Sequence, residues 1–209
     1  MKWEDEGFII SKRKFIENAI LLEVFTKEFG KVNGIVYGGN SRKIKNYLQI
    51  SNKIYLSYHS KSNDRIGYFK TELIKPISPI YFDDKAKIIC LNSMSSILKA
   101  ILPENQPYKS IYNSLDDLLS NFKEKNWSMS YLYWEINLIK QLGYGFSIDS
   151  KKYNNSSKDK VVDVKLDDIN YKIPSFLIFK KLESPNIKDI CNGLNFTRNL
   201  MENKFFIPN

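Results

Sequence analysis

The side chains in this sequence best suited to chemistry are cations beside glycines. Residues 34 to 45, GIVYGGNSRKIK, set Gly34, Gly38 and Gly39 ahead of Arg42, Lys43 and Lys45. A phosphate-cradling loop of the GxxxxGK[ST] kind needs a spacing that these glycines lack, and no Lys-Ser/Thr pair follows them. A dinucleotide fingerprint fails as well, because no helical pattern follows the glycines. Gly38-Gly39 reads instead as a strand end that turns sharply at positive φ. Such a turn leaves Arg42, Lys43 and Lys45 projecting from a loop toward a phosphate chain.

Other chemistry finds little support. His59 is the sole histidine, and with no serine or cysteine motif around it, it reads as a surface or interface polar group. Asp83-Asp84, Asp116-Asp117 and Asp167-Asp168 suggest metal-dependent hydrolysis, but adjacent carboxylates on a helix diverge by about 100°. They read as helix-start charges or solvated faces. Cys90 and Cys191 are the two cysteines; their separation argues against a zinc site or a disulfide framework and for a reducing compartment. No catalytic residue, metal ligand or cofactor is assigned, and the chain is not read as an enzyme.

The net charge of +9 points to a polyanionic partner. Lys, Asn, Ile, Tyr and Phe are all abundant, as AT-rich coding produces, so placement carries more weight than the total. Between Glu28 and Asp64 lie Lys31, Arg42, Lys43, Lys45, Lys53 and Lys61 and no acid; residues 1–80 carry a net +6 against +3 in the remainder. Tyr37, Tyr47, Tyr55 and Tyr58 interleave with these charges, which suits base stacking beside phosphate neutralisation. Strand alternation turns about half of such residues inward. The nucleic-acid-binding set is Lys31, Tyr37, Arg42, Lys43, Lys45, Lys53 and Arg65.

The elements that must position them fall into two halves. Gly7–Lys12, Ala19–Thr26, Lys31–Tyr37, Lys53–His59 and Ile66–Ile74 are short and rich in Ile, Val, Phe and Tyr, the pattern of a five-stranded OB-type barrel over residues 1–80. Pro76 and Pro79 close it. Helical spacing then takes over at Cys90, Met94, Ile97, Leu98 and Ile101, at Ile111, Leu115, Leu118, Leu119 and Phe122, and at Trp127, Tyr131, Trp134, Leu138 and Leu142. Residues 147–172 read as a polar surface loop with at most a short hairpin. A last helix is predicted from Pro185 to Met201, with Ile187, Ile190, Cys191, Leu194 and Met201 on its apolar side. The expected class is α+β: an N-terminal barrel followed by an all-helical domain over 81–209. No run reaches membrane-spanning length, and the acidic start MKWEDEGFII is unlike a signal peptide, so a cytoplasmic, nucleoid-associated protein is expected.

In order and spacing these pieces resemble the RecO family of recombination mediators. WEDEGFIIS is similar to the family's opening strand, VFTKEFGKVNGIVYGGNSRK to its second and third strands with the glycine-basic loop, and LQISNKIYLSYHSK with IGYF to the rest of the barrel. LPENQPYKSIYNSLDDLL resembles its interhelical segment, YWEINLIKQLGYGFSID its most recognisable helix, and IPSFL and GLNFTRNLMENKFF its closing portion. The resemblance implies a non-catalytic protein that binds single- and double-stranded DNA and anneals complementary strands. It further implies contact with the acidic C-terminal tail of single-stranded-DNA-binding protein (SSB) and with RecR, so that RecA can load. The family's basic loop falls on Arg42, Lys43 and Lys45, with Lys31 on the strand before. An SSB-tail groove needs an apolar pocket with a cationic rim, for which Lys140 and Arg198 are the candidates. Many members carry a cysteine zinc cluster after this helix; Ser147, Ile148, Asp149 and Ser150 stand there instead, so no zinc role transfers and the polar loop replaces that segment. The chain also stops soon after FFIP, shorter than typical relatives. The rival readings are a plain OB-fold binder of single-stranded DNA or RNA and a metal-dependent nuclease.

Overall fold

A computed structural model of the chain describes residues 1–61, 65–145, 161–166, 169–179 and 185–206. Strands β1 (Lys2–Ile16), β2 (Ala19–Thr26), β3 (Gly30–Tyr37), β4 (Lys53–His59) and β5 (Tyr68–Lys75) close into a barrel in the order β1-β2-β3-β5-β4. β1 is longer than its alternating core suggests, because its first half pairs with β4 and its second half with β2. The β3–β5 contact is parallel and the other pairings are antiparallel. This is the OB arrangement expected from the strand spacing. Period-two alternation sends Ile20, Leu22, Val24, Val32, Val36, Ile54, Leu56 and Phe69 inward, which leaves Leu21, Ile35, Tyr37 and Tyr68 facing outward.

Between β3 and β4 the chain forms α1 (Arg42–Tyr47), where the sequence showed no helical pattern. Six residues with apolar positions only at Ile44 and Tyr47 are too short for periodicity to register. Tertiary contacts hold the turn: Ile44, Tyr47 and Leu48 pack against the barrel core, and Lys12 Nζ donates to Leu48 O at 2.6 Å and Gln49 Oε1 at 2.9 Å. A cation at a helix C-terminus is favourable.

Two compact units divide at Asn113/Ser114. The change of period near Pro76–Pro79 ends the strands, yet α2 (Lys85–Ile101) packs on β1 and belongs with the barrel. Its buried face is Leu91, Met94, Ser95, Ile97 and Leu98, and Asp84 caps it by accepting from Lys87 N at 3.1 Å. The next helix, α3 (Lys109–Ser120), contains the division; Tyr112 in its first turns is buried against Phe8 and Phe25.

In the second unit α4 (Trp127–Ile139) buries Tyr131, Leu132, Trp134, Leu138 and Ile139. It packs with α6 (Ile187–Met201), which buries Gly193, Phe196, Thr197, Leu200 and Met201. The apolar side assigned to the last helix is therefore rotated: Ile187 is 81% exposed and Cys191 is exposed. The reason is steric. A Cβ at Gly193 would meet Leu132 Cδ2 at 2.5 Å, so Gly193 marks the face of closest approach.

The second unit is also not all helical. β6 (Val161–Leu166) and β7 (Ile169–Pro174) pair as a hairpin, followed by the short α5 (Ser175–Phe179). Val164, Tyr171 and Ile173 are buried, and Tyr171 meets Phe196 edge-on at 5.8 Å. One short apolar face within a Lys/Asn/Asp-rich stretch gave too weak an alternation to predict more than a possible hairpin. Residues 147–160, 167 and 168 of the predicted polar loop lie outside the described residues. Among the described residues, no helix is long and apolar enough to cross a membrane.

Candidate nucleic-acid interface

The glycine turn after β3 has two separate causes. Gly38 adopts φ +69°, where a side chain is strained. Gly39 is needed for room: a Cβ there would lie 2.9 Å from Ile20 Cγ1 and 3.0 Å from Val36 O. The turn is bound to the tip of the β1–β2 hairpin, with Gly38 N donating to Asn18 O at 2.7 Å and Asn40 Nδ2 to Glu17 O at 2.9 Å. Arg42, Lys43 and Lys45 follow, all exposed, carried on α1 rather than on a loop. Arg13 and Lys14 are exposed near the same hairpin tip. Burial, reinforced by the charge of Lys45, lowers the pKa of Lys12 beneath them.

The outer face of β2 and β3 is open at this end and covered at the other. At the covered end Lys31 Nζ donates to Lys99 O at 2.7 Å, Asn33 Nδ2 to Glu104 Oε1 at 2.9 Å, and Lys99 pairs with Glu23 at 3.3 Å. At the open end Ala19, Leu21 and Ile35 form a small apolar cluster that is itself buried, so the exposure there belongs to the rings beside it. Beside it Tyr37 is 60% exposed, with its ring 6.1 Å from that of Tyr68. Tyr68 is 37% exposed and stacks on His59 at 5.1 Å with 10° between the planes. Register explains the row: Ile35 lies beside Tyr68 across the parallel contact, and Tyr68 opposes His59. Ser57 Oγ lies 3.1 Å from His59 Nε2 and fixes the imidazole in that orientation.

Measured against this face, the predicted residues separate. Tyr37, Arg42, Lys43 and Lys45 lie on or beside it, and Arg65 is exposed in the β4–β5 connection that ends in Tyr68. Lys31 does not: it is 8% exposed and its ammonium neutralises an otherwise unpaired carbonyl in the last turn of α2. Lys53 is also withdrawn, being buried with its ammonium 2.9 Å from Glu6 Oε1 and over the rings of Phe8 and Tyr112. Of the other interleaved tyrosines, Tyr47 donates its hydroxyl to Thr71 O and Tyr58 stacks on Trp3, so both serve the fold. Tyr68, Arg13 and Lys14, which also stand near this face, were not singled out from the sequence, and His59 was read only as a surface or interface polar group. The first three lie outside the acid-free window on which the sequence reading concentrated, and pairing of His59 with Tyr68 is a matter of register.

In the second unit Lys140 is exposed, but Arg198 is committed. Its Nη2 lies 2.7 Å from Oε1 of the fully buried Glu135 and 2.9 Å from the Tyr131 hydroxyl. Thr197 Oγ1 donates to the other oxygen of Glu135. Burial alone would lower the Arg198 pKa; the bond to Glu135 and its charge outweigh that and raise it. A groove of about 900 Å³ lies elsewhere in this unit, with Lys125 and Lys188 among Met129, Ile187 and Ile190. Among the described residues no three His, Cys, Asp or Glu side chains gather as metal ligands; Asp167-Asp168 lies outside them.

Comparison with known proteins finds two family matches, which meet between residues 77 and 83 rather than at Asn113/Ser114. The family described as recombination protein O N terminal matches residues 1–77, and recombination protein O C terminal matches residues 83–159. A Hyphomonas neptunium protein named DNA repair protein RecO is 30% identical over 99% of this chain and 91% of its own length. Proteins of the same name from Ehrlichia chaffeensis and Wolbachia pipientis wMel are 32% and 36% identical over 76% and 73% of this chain. Against these two the match spans just under two thirds of the relative, 65% and 62%.

Proposed function

This chain belongs to the recombination protein O family, and on that premise we propose that it is a DNA repair and recombination mediator. It holds single- and double-stranded DNA without breaking bonds, anneals complementary strands, and works with RecR to help RecA load onto SSB-coated strands near the nucleoid. The observation that carries this reading is the outer face of β2, β3 and β5, where Tyr37 and Tyr68 are exposed, with Arg42, Lys43 and Lys45 exposed on the helix after β3 and Arg65 exposed shortly before β5. Cations around a strand of phosphates release counterions on binding, which gives affinity without base readout. Two strands held by one cationic surface repel each other less and meet at higher local concentration, so annealing follows. For the acidic SSB tail, the lysine-rimmed apolar groove of Lys125, Met129, Ile187, Lys188 and Ile190 suits an anionic peptide with apolar side chains. It replaces Arg198 as the candidate rim.

Charge reversal tests the reading. R42E/K43E is expected to weaken binding to both strand types by roughly 10- to 100-fold at low salt. The slope of log K against log salt should shrink by about 1.4 for single strands and about 1.8 for duplex if two phosphate contacts are lost. Fluorescence anisotropy across a salt series measures both, and an unchanged slope would place the α1 cations away from DNA. The rival, a plain OB-fold binder, is separated by retention on immobilised SSB-tail peptide, which a plain binder ignores.

A further inference from the structure

Resting on that reading, we propose that Tyr37, Tyr68 and His59 form a stacking platform for unpaired bases, so that this face binds single strands by two forces and duplex by one. Three observations support it. The rings adjoin one another, and exposed cations stand near them in the chain: Arg42, Lys43 and Lys45 follow Tyr37, and Lys61 and Arg65 lie between His59 and Tyr68 in sequence. The row is pre-organised, since the Ser57 hydroxyl holds His59 parallel to Tyr68 and strand register fixes Tyr68 beside Ile35. Its outermost ring is open, Tyr37 being 60% exposed beside the buried cluster of Ala19, Leu21 and Ile35. The exposed ring offers a π-face on which a base stacks while the cations take the flanking phosphates.

A duplex hides its base faces in its own stack, so only the cations can hold it. The platform therefore grips each strand before pairing and loses its hold as the bases pair. Tighter binding of single strands does not drive pairing, which the base pairs themselves supply; the weaker grip on duplex lets the finished product leave.

Y37A/Y68A is expected to lower affinity for an oligo-dT by about ten-fold or more. Affinity for duplex of the same length should change less than two-fold, and the salt slopes should stay as in the wild type. Y37F should retain wild-type affinity, because stacking needs the ring and not the hydroxyl. Because Tyr68 belongs to a strand, Y37A alone provides the reading should the double variant lose its fold. Equal losses for both strand types, or no loss for oligo-dT, would overturn the platform. If R42E/K43E still weakens both strand types in that case, the platform fails alone; if neither variant alters binding, the mediator reading fails with it.

Discussion

Removal of the Arg198 side chain is expected to destabilise the second unit by about 3–5 kcal/mol, because R198A leaves the Glu135 carboxylate buried without its counter-charge. The remaining partner, the Thr197 hydroxyl, supplies one hydrogen bond but no charge. E135Q should cost less, about 1–3 kcal/mol, since the amide keeps the shape and part of the hydrogen bonding. Chemical denaturation monitored by circular dichroism measures both. A loss under about 1 kcal/mol for R198A would mean that water reaches Glu135. DNA affinity of the folded R198A protein should match wild type, because Arg198 serves packing of α6 on α4 rather than a binding rim.

Gly30→Ala carries the second large effect, in the barrel unit. Gly30 has φ +71°, and a Cβ there would lie 1.9 Å from the backbone oxygen of Gln106. Forcing a left-handed conformation on alanine costs about 1–3 kcal/mol. Displacing the backbone at 104–106 adds about 1–3 kcal/mol, for a total of about 2–6 kcal/mol. That segment also donates Asn105 N to Lys31 O, so its shift should loosen the cover over the inner end of β3. A melting temperature within a degree or two of wild type would show that the segment moves aside freely.

How far the sequence was readable follows from how local each interaction is. The five strand segments were legible because period two is a property of neighbouring residues; in the structure it turns Ile20, Leu22, Val24, Val32 and Val36 inward and Tyr37 outward. The helical stripe Ile111, Leu115, Leu118, Leu119 and Phe122 is buried throughout for the same kind of reason. Lys31 and Lys53 looked like surface cations because their partners, Lys99 O and Glu6, are distant in sequence. Nothing near either lysine announces a helix end or a carboxylate beside it. Arg198 misled in the same way, since Glu135 lies in a different helix. The ring row escaped because Tyr37, Tyr68 and His59 come from three strands, and the parallel β3–β5 contact that joins two of them exists only once the barrel has closed. The helical face of α6 was misjudged where small residues decide: Gly193 brings the helix close to Leu132, and Thr197 is buried because Glu135 receives its hydroxyl.

Ultraviolet crosslinking of the protein to an oligo-dT, followed by mass spectrometry of the adducted peptides, tests most directly whether nucleic acid lies on the open face of β2, β3 and β5. Tyr133 and Tyr144 of the second unit are also exposed and act as internal controls. Adducts concentrated on the peptides carrying Tyr37 and Tyr68, and suppressed by R42E/K43E, are the predicted result. Adducts confined to Tyr133 or Tyr144, with Tyr37 and Tyr68 unmodified, would contradict it.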